Sequence, residues 1–141
     1  KHAKKLSFNP GLVMSSFGIE KLRNILKRTE ILFLNQKEVY LLTGREWEEG
    51  SLMLLDLGIP MVVVTNGAEG ATLFTGEGVT YSSAKKVNVI DTTGAGDNFA
   101  AGFIKSYIEG EKHKDCLENA NKIASLCVQK MGGSVTGKIT F

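Results

Sequence analysis

Hydrophobic residues recur along this chain in two rhythms, and each change of rhythm marks an expected element. Lys5 to Phe8 reads as a short strand, stopped by Asn9-Pro10-Gly11. Ile19, Leu22, Ile25 and Leu26 then recur at helical spacing. Ile31-Leu32-Phe33-Leu34 is an unbroken apolar run, the pattern of a strand covered on both faces. Asn35 stands where it can cap a short helix that Gly44 ends. Trp47, Leu54, Leu55 and Leu57 suit a further helix closed by Gly58, and Met61 to Thr65 is the next buried strand. Gly70 to Thr75 and Val79 to Ser83 flank Gly76-Glu77-Gly78, as in a hairpin with a short glycine turn. Val87 to Ile90 reads as one more strand, so Phe33, Val63 and Val89 are all expected on buried strands. Ala95 to Ile108 is an expected helix ended by Gly110. Lys114 to Met131 is a longer one, with Leu117, Ala120, Ile123, Ala124 and Val128 near one face.

Strand and helix alternate over most of the length, which argues an α/β layered fold with a largely parallel sheet. Such sheets bind ligands beyond the carboxyl ends of their strands. Asn35, Thr65 and Asp91 each follow an expected strand, so polar chemistry is sought there first.

Composition narrows the class. The chain has 141 residues, 43% hydrophobic and 23% charged, as in an ordinary globular domain or part of one. Its formal net charge of +2 gives no argument for nucleic acid, and the basic run Lys1 to Lys5 reads as a solvated end. The apolar runs, such as Ile31 to Leu34 and Met61 to Val64, are far too short to span a membrane, and no signal peptide is read. Cys116 and Cys127 fall in one expected helix, about 16 Å apart along its axis, too far for a disulfide. They read as inert thiols of a reducing cytoplasm. The chain opens on Lys1 and enters a strand pattern almost at once, as a piece of a longer protein would.

The chemistry concentrates in Val89 to Phe103, VIDTTGAGDNFAAGF. Gly94-Ala95-Gly96 leads into a helix, whose first turn carries free backbone N–H groups and partial positive charge. Glycines let that backbone approach a ligand closely, so the loop can hold an anion such as a phosphate in transfer. Asp97 lies in the same turn. It reads either as a helix-start residue or as a base that takes a hydroxyl proton while neighbouring amides stabilise charge on the phosphoryl group.

Asp91-Thr92-Thr93-Gly94-Ala95-Gly96-Asp97, with Asn98-Phe99 and Gly102-Phe103, resembles the C-terminal signature of the ribokinase (PfkB) family of carbohydrate kinases. Further segments agree in order. Asn35-Gln36-Lys37-Glu38 resembles the family's Asn-x-x-Glu motif, which implies Asn35 near the nucleotide phosphates and Glu38 holding Mg²⁺ through water. Thr65-Asn66-Gly67-Ala68-Glu69-Gly70 resembles its Thr-x-Gly-x-x-Gly nucleotide segment, so Thr65, Gly67 and Gly70 are implied ATP contacts. The helix around Asn121, then Gly132-Gly133-Ser134, resembles the part that borders adenine. Asp91 and the backbone of Thr93 are implied at a monovalent-cation (K⁺) site; equally, Asp91 can hydrogen-bond the loop amides. Taken singly, Asn35 and Glu38 read as a cap and a helix charge, Gly67 and Gly70 as turn glycines, and Asn121 as an exposed helix residue.

The resemblance implies a three-layer α/β/α sandwich of which residues 1–141 form the C-terminal nucleotide-binding and catalytic part, without the sugar-binding half and lid. It implies ATP-dependent phosphoryl transfer, with Asp97 as base and Gly94, Ala95 and Gly96 as the anion hole. The acceptor is a small molecule: a sugar, sugar phosphate, nucleoside or ketohexonate. It also implies a cytoplasmic protein without nucleic-acid or membrane partners, and leaves a homo-oligomer open. The alternative is a nucleotide-binding or structural module without turnover of its own. Gly132 to Lys138 nearly spells a P-loop, but Ile139 stands where Ser or Thr is needed. His2 and His113 lack partners at a metal-ligand spacing, and no serine nucleophile elbow occurs.

Overall fold

The computed structural model describes residues 5–132. Most of the basic run at Lys1 to Lys5, His2, and the glycine-rich stretch from Gly133 through Ser134 and Lys138 lie outside the described residues. The chain divides into two compact units: the first runs to Asn66 and takes in Thr72–Val79, and the second comprises Gly67–Ala71 and the residues from Thr80 onward.

In the first unit, strand β1 (Leu6–Phe8) is followed by short helix α1 (Gly11–Ser15) and helix α2 (Gly18–Leu26). Strand β2 (Thr29–Asn35) leads to helices α3 (Gln36–Thr43) and α4 (Trp47–Asp56), then to strand β3 (Met61–Thr65). Strands β1, β2 and β3 are parallel, and their register makes Ile31 face Met61, Phe33 face Val63 and Asn35 face Thr65. Helix α1 is an element that the apolar pattern did not announce. The core joins Leu22 and Leu26 of α2, Leu32 and Leu34 of β2, Val39 and Leu42 of α3, Leu54 of α4 and Val62 and Val64 of β3. Ile31, Phe33, Met61 and Val63, on the opposite strand faces, are also buried, so these strands read as continuous apolar runs for the reason expected. Trp47 meets Phe74 edge-on, ring centroids 5.9 Å apart.

Strands β4 (Gly70–Thr75) and β5 (Gly78–Ser83) complete a five-stranded sheet of order β1-β2-β3-β4-β5. The two-residue connection between them makes this last pair antiparallel. The second unit carries helix α5 (Ala95–Ile108) and helix α6 (His113–Val128). These cross closely at Gly102, where an added Cβ would lie 2.8 Å from Ile123 Cδ1 and 3.2 Å from Ala120 Cα. Helix α6 ends at Val128, short of the expected Met131.

The expected strand from Val87 to Ile90 is not formed, and Val89 is not on a buried strand: Val89 is 58% and Ile90 63% exposed. β-branched residues favour a strand only where a neighbouring strand and a packing surface receive them. Here the Ile90 and Asp91 amides both go to Val128 O at the end of α6, at 2.7 and 3.1 Å.

Gly70 has φ +126°, and an added Cβ would fall 2.1 Å from Ser82 O. Gly70→Ala is therefore expected to cost about 2–4 kcal/mol in chemical denaturation, from backbone strain plus collision with a main-chain atom that cannot swing away. Gly76→Ala, whose added Cβ meets nothing within 4 Å, should stay within about 0.5 kcal/mol of the wild type.

Candidate functional site

The first unit ends two of its strands in polar residues side by side. Asn35 closes β2, Thr65 closes β3, and the two are partners in the parallel register. Asn35 is also the N-cap of α3: its Oδ1 accepts from Glu38 N at 2.8 Å, and Glu38 Oε2 accepts from Asn35 N at 2.9 Å. This reciprocal capping box satisfies two amides that a helix start leaves unpaired. It also fixes Glu38, only 8% exposed, against the strand end. Gly44 closes α3 in the left-handed conformation. The expected cap and helix end are both formed. Thr65 Oγ1 donates to Leu34 O at 3.5 Å, tying the two strand ends together.

In the second unit the site is the turn before α5. Gly94 is the helix N-cap with φ +74°, a left-handed conformation that disfavours any residue with a Cβ. Ala95, Gly96 and Asp97 then form the first turn. Ala95 N is taken by Thr92 O at 3.2 Å and Thr93 N by Asp91 Oδ1 at 2.8 Å. The amides of Gly94, Gly96 and Asp97 have no acceptor among the described residues. A Cβ added at Gly96 would meet nothing within 4 Å, so the backbone can be approached at that residue. The Asp97 side chain is exposed and has no hydrogen bond among the described residues; the cap position belongs to Gly94. A carboxylate on the third residue of a helix, beside open N–H groups, is free to meet a ligand bound there.

The turn is held from α6. Besides the two amides on Val128 O, Gly132 N donates to Asp91 Oδ2 at 3.1 Å. Hydrogen bonds from the Thr93 hydroxyl, the Thr93 amide and the Gly132 amide, in that order, hold the Asp91 carboxyl below its ordinary range. Asn98 Nδ2 donates to Gly94 O at 2.9 Å and to Cys127 Sγ at 3.3 Å, and Cys127 Sγ donates to Thr93 O at 3.5 Å. Burial, then the Asp91 charge, pushes the Cys127 thiol up, so it stays a neutral donor at ordinary pH. Sequence reasoning passed over Asn98, Cys127 and Val128 as holders of this turn. Asn98 was read only within the motif and Cys127 as an inert thiol.

Gly67 and Gly70 flank a single 3-10 turn, Gly67–Glu69, before β4. Glu69 O accepts from Ala84 N at 3.2 Å and from Tyr81 Oη at 2.6 Å. Asn121 is only 6% exposed, and its Nδ2 donates to Ser82 O at 3.0 Å and Ser83 O at 3.4 Å. Within this unit, α6 thus carries the end of β5 on its middle and the 90–94 turn on its last residues. Those attachment points, Asn121 and Val128, lie about 10 Å apart along the helix axis.

No group of three or more His, Cys, Asp or Glu side chains able to hold a metal occurs among the described residues. Among them, too, no helix is long and apolar enough to cross a membrane.

The sequence pattern of the pfkB family carbohydrate kinases matches residues 1–138. An uncharacterized sugar kinase of Archaeoglobus fulgidus is 32% identical over 127 residues, covering 90% of this chain and 51% of that protein. The ribokinase of Arabidopsis thaliana is 38% identical over 116 residues, covering 77% of this chain and 31% of that protein. Among solved structures, a putative ribokinase II from E. coli in complex with ATP and Mg²⁺ superposes with a TM-score of 0.81 at 27% identity, covering 90% of this chain and 43% of that one. The chain thus spans about half, or less, of the relatives it matches. With the five-stranded α/β architecture and an open, glycine-capped helix start carrying Asp97, these matches make the chain a member of the pfkB family of carbohydrate kinases.

Proposed function

We propose that this chain is the C-terminal, nucleotide-binding and catalytic part of a kinase that transfers the terminal phosphoryl group of ATP to a hydroxyl of a sugar or related small alcohol. The observation that carries this reading is the first turn of α5, where the exposed Asp97 carboxylate stands beside the amides of Gly94, Gly96 and Asp97, which have no acceptor among the described residues. Phosphoryl transfer to an alcohol needs both functions together: a base for the hydroxyl proton and donors for the charge that builds on the phosphoryl oxygens. In this mechanism Asp97 accepts the acceptor's proton as its oxygen attacks. The amides of Gly94, Gly96 and Asp97 take the phosphoryl oxygens, and Ala95 spaces them, its own N–H being engaged in the turn.

Thr65 and Asn35 offer polar groups at adjacent strand ends. Gly67, where an added Cβ would meet nothing within 4 Å, keeps the 3-10 turn bare, and Asn121 fixes the end of β5 against which Gly70 lies. Glu38 fits a Mg²⁺ ion held through water: it is a carboxylate with one oxygen engaged by Asn35 N and the other without a partner among the described residues. When bound, Mg²⁺ would neutralise phosphate charge. At the K⁺ position, Asp91 and the Thr93 carbonyl already hold hydrogen bonds but keep lone pairs, so a K⁺ ion there would add to those bonds.

A second reading, nucleotide binding without turnover by this chain alone, is favoured by its covering only 31–51% of the curated relatives compared. ATP binding by the isolated chain with transfer only in the full-length protein would support it.

In the full-length protein, Asp97→Asn should lower kcat by about 10²–10⁴-fold, with little change in ATP affinity. Because Gly94 holds the cap position, Asp97→Asn and Asp97→Ala should each change stability by less than about 1 kcal/mol. Steady-state rates and thermal melts on both variants check this, and a near-normal rate in Asp97→Asn removes the base from the mechanism.

Glu38→Gln keeps the capping box but loses the charge. The Mg²⁺ concentration for half-maximal rate should rise about 10–100-fold, with the melting temperature nearly unchanged.

ATP titrated into ¹⁵N-labelled protein should shift residues 65–70 and 94–97 first. Shifts confined elsewhere would overturn the placement.

A further inference from the structure

The Thr93 carbonyl is fastened by a side chain, and the Gly94 carbonyl takes a side-chain donor in addition to the helix amide of Asn98. Asn98 Nδ2 donates to Gly94 O at 2.9 Å, and the same amide donates to Cys127 Sγ at 3.3 Å. Cys127 Sγ in turn donates to Thr93 O at 3.5 Å. The result is a closed clasp from one carbonyl through an amide and a thiol to the preceding carbonyl. Cys127 and Asn98 are 29 residues apart in the chain. Cys127 is fully buried on the last turn of α6, which also takes the Ile90 and Asp91 amides on Val128 O.

The clasp acts through peptide geometry. The described chain has no cis peptide bond, and in a trans peptide the carbonyl and the N–H point in opposite directions. A Thr93 carbonyl drawn toward Cys127 therefore turns the Gly94 N–H away from α6. That N–H is one of the three amides of the turn without an acceptor among the described residues. Gly94 is also the left-handed cap, with no side chain of its own to set the direction.

We propose that Cys127 is a positioning residue for phosphoryl transfer: its thiol, with Asn98, fixes the Thr93–Gly94 peptide so that the Gly94 N–H faces the transferring group. This rests on the reading of the 94–97 turn as the anion site. It adds a requirement on α6 that the signature motif does not contain.

The test compares the full-length protein with its Cys127→Ala and Cys127→Ser variants. Alanine removes the donor to Thr93 O, whereas serine restores a hydroxyl donor. Cys127→Ala should lower kcat about 10–100-fold, as expected for a misdirected group at a reacting centre, with KM for ATP within about twofold. Cys127→Ser should recover much of the loss. A ¹⁵N spectrum should show the Gly94 amide displaced in Cys127→Ala and returned toward its wild-type position in Cys127→Ser. A Cys127→Ala enzyme with wild-type kcat, or equal losses in both variants that follow their melting temperatures, overturns the proposal. If the wild-type protein transfers no phosphoryl group, the proposed kinase reading fails on its own. The Gly94 amide still decides the clasp, because an unmoved Gly94 resonance in Cys127→Ala rules it out.

Discussion

The carbonyl of Val128 receives two backbone amides, from Ile90 and Asp91, and the turn that opens α5 hangs from that attachment. A helix end has carbonyls to spare and a helix start has amides to spare. Here the end of α6 uses its surplus to hold the segment that opens α5. Asp91 adds a second strap by spanning Thr93 N and Gly132 N. The anion site proposed for the turn rests on this arrangement. The amides of Gly94, Gly96 and Asp97 are left without an acceptor among the described residues.

The first unit solves a related problem differently. The start of α3 is closed by its own neighbours, through the reciprocal pair of Asn35 and Glu38. One helix start is thus capped by side chains and the other by glycine, and the contrast fits the work each end is proposed to do. A capped start fixes Glu38 as an oriented carboxylate. An uncapped one leaves N–H groups for a ligand. Parallel register then sets Asn35 against Thr65, so polar groups from two strands meet at one sheet end without either residue having to reach.

Much of this was legible in the chain because its causes are local. Asn35 and Gly44 bracket α3 in sequence as they do in space, and the apolar runs of β2 and β3 announce strands buried on both faces. What sequence missed depends on distant partners. Val87 to Ile90 has the residue types of a strand, but its amides find α6 instead of a sheet neighbour, and Val89 and Ile90 stay exposed. Asn121, read alone, is an exposed helix residue; the carbonyls of Ser82 and Ser83, some 39 positions away, make it a buried anchor. Asp97 reads in sequence as a helix-start residue or a base; in the fold Gly94 takes the cap position.

The chain's single tryptophan, Trp47, belongs to the first unit, where it lies against Phe74. Both cysteines belong to the second, fully buried on α6, with burial pushing the Cys116 thiol up to about 11. Thiols so enclosed react with an aromatic disulfide reagent only when the structure around them opens. The protein therefore carries two intrinsic reporters that do not overlap: indole fluorescence for one unit and thiol accessibility for the other. Followed together through a denaturant series, coincident curves would mark one cooperative folding unit and separated curves two.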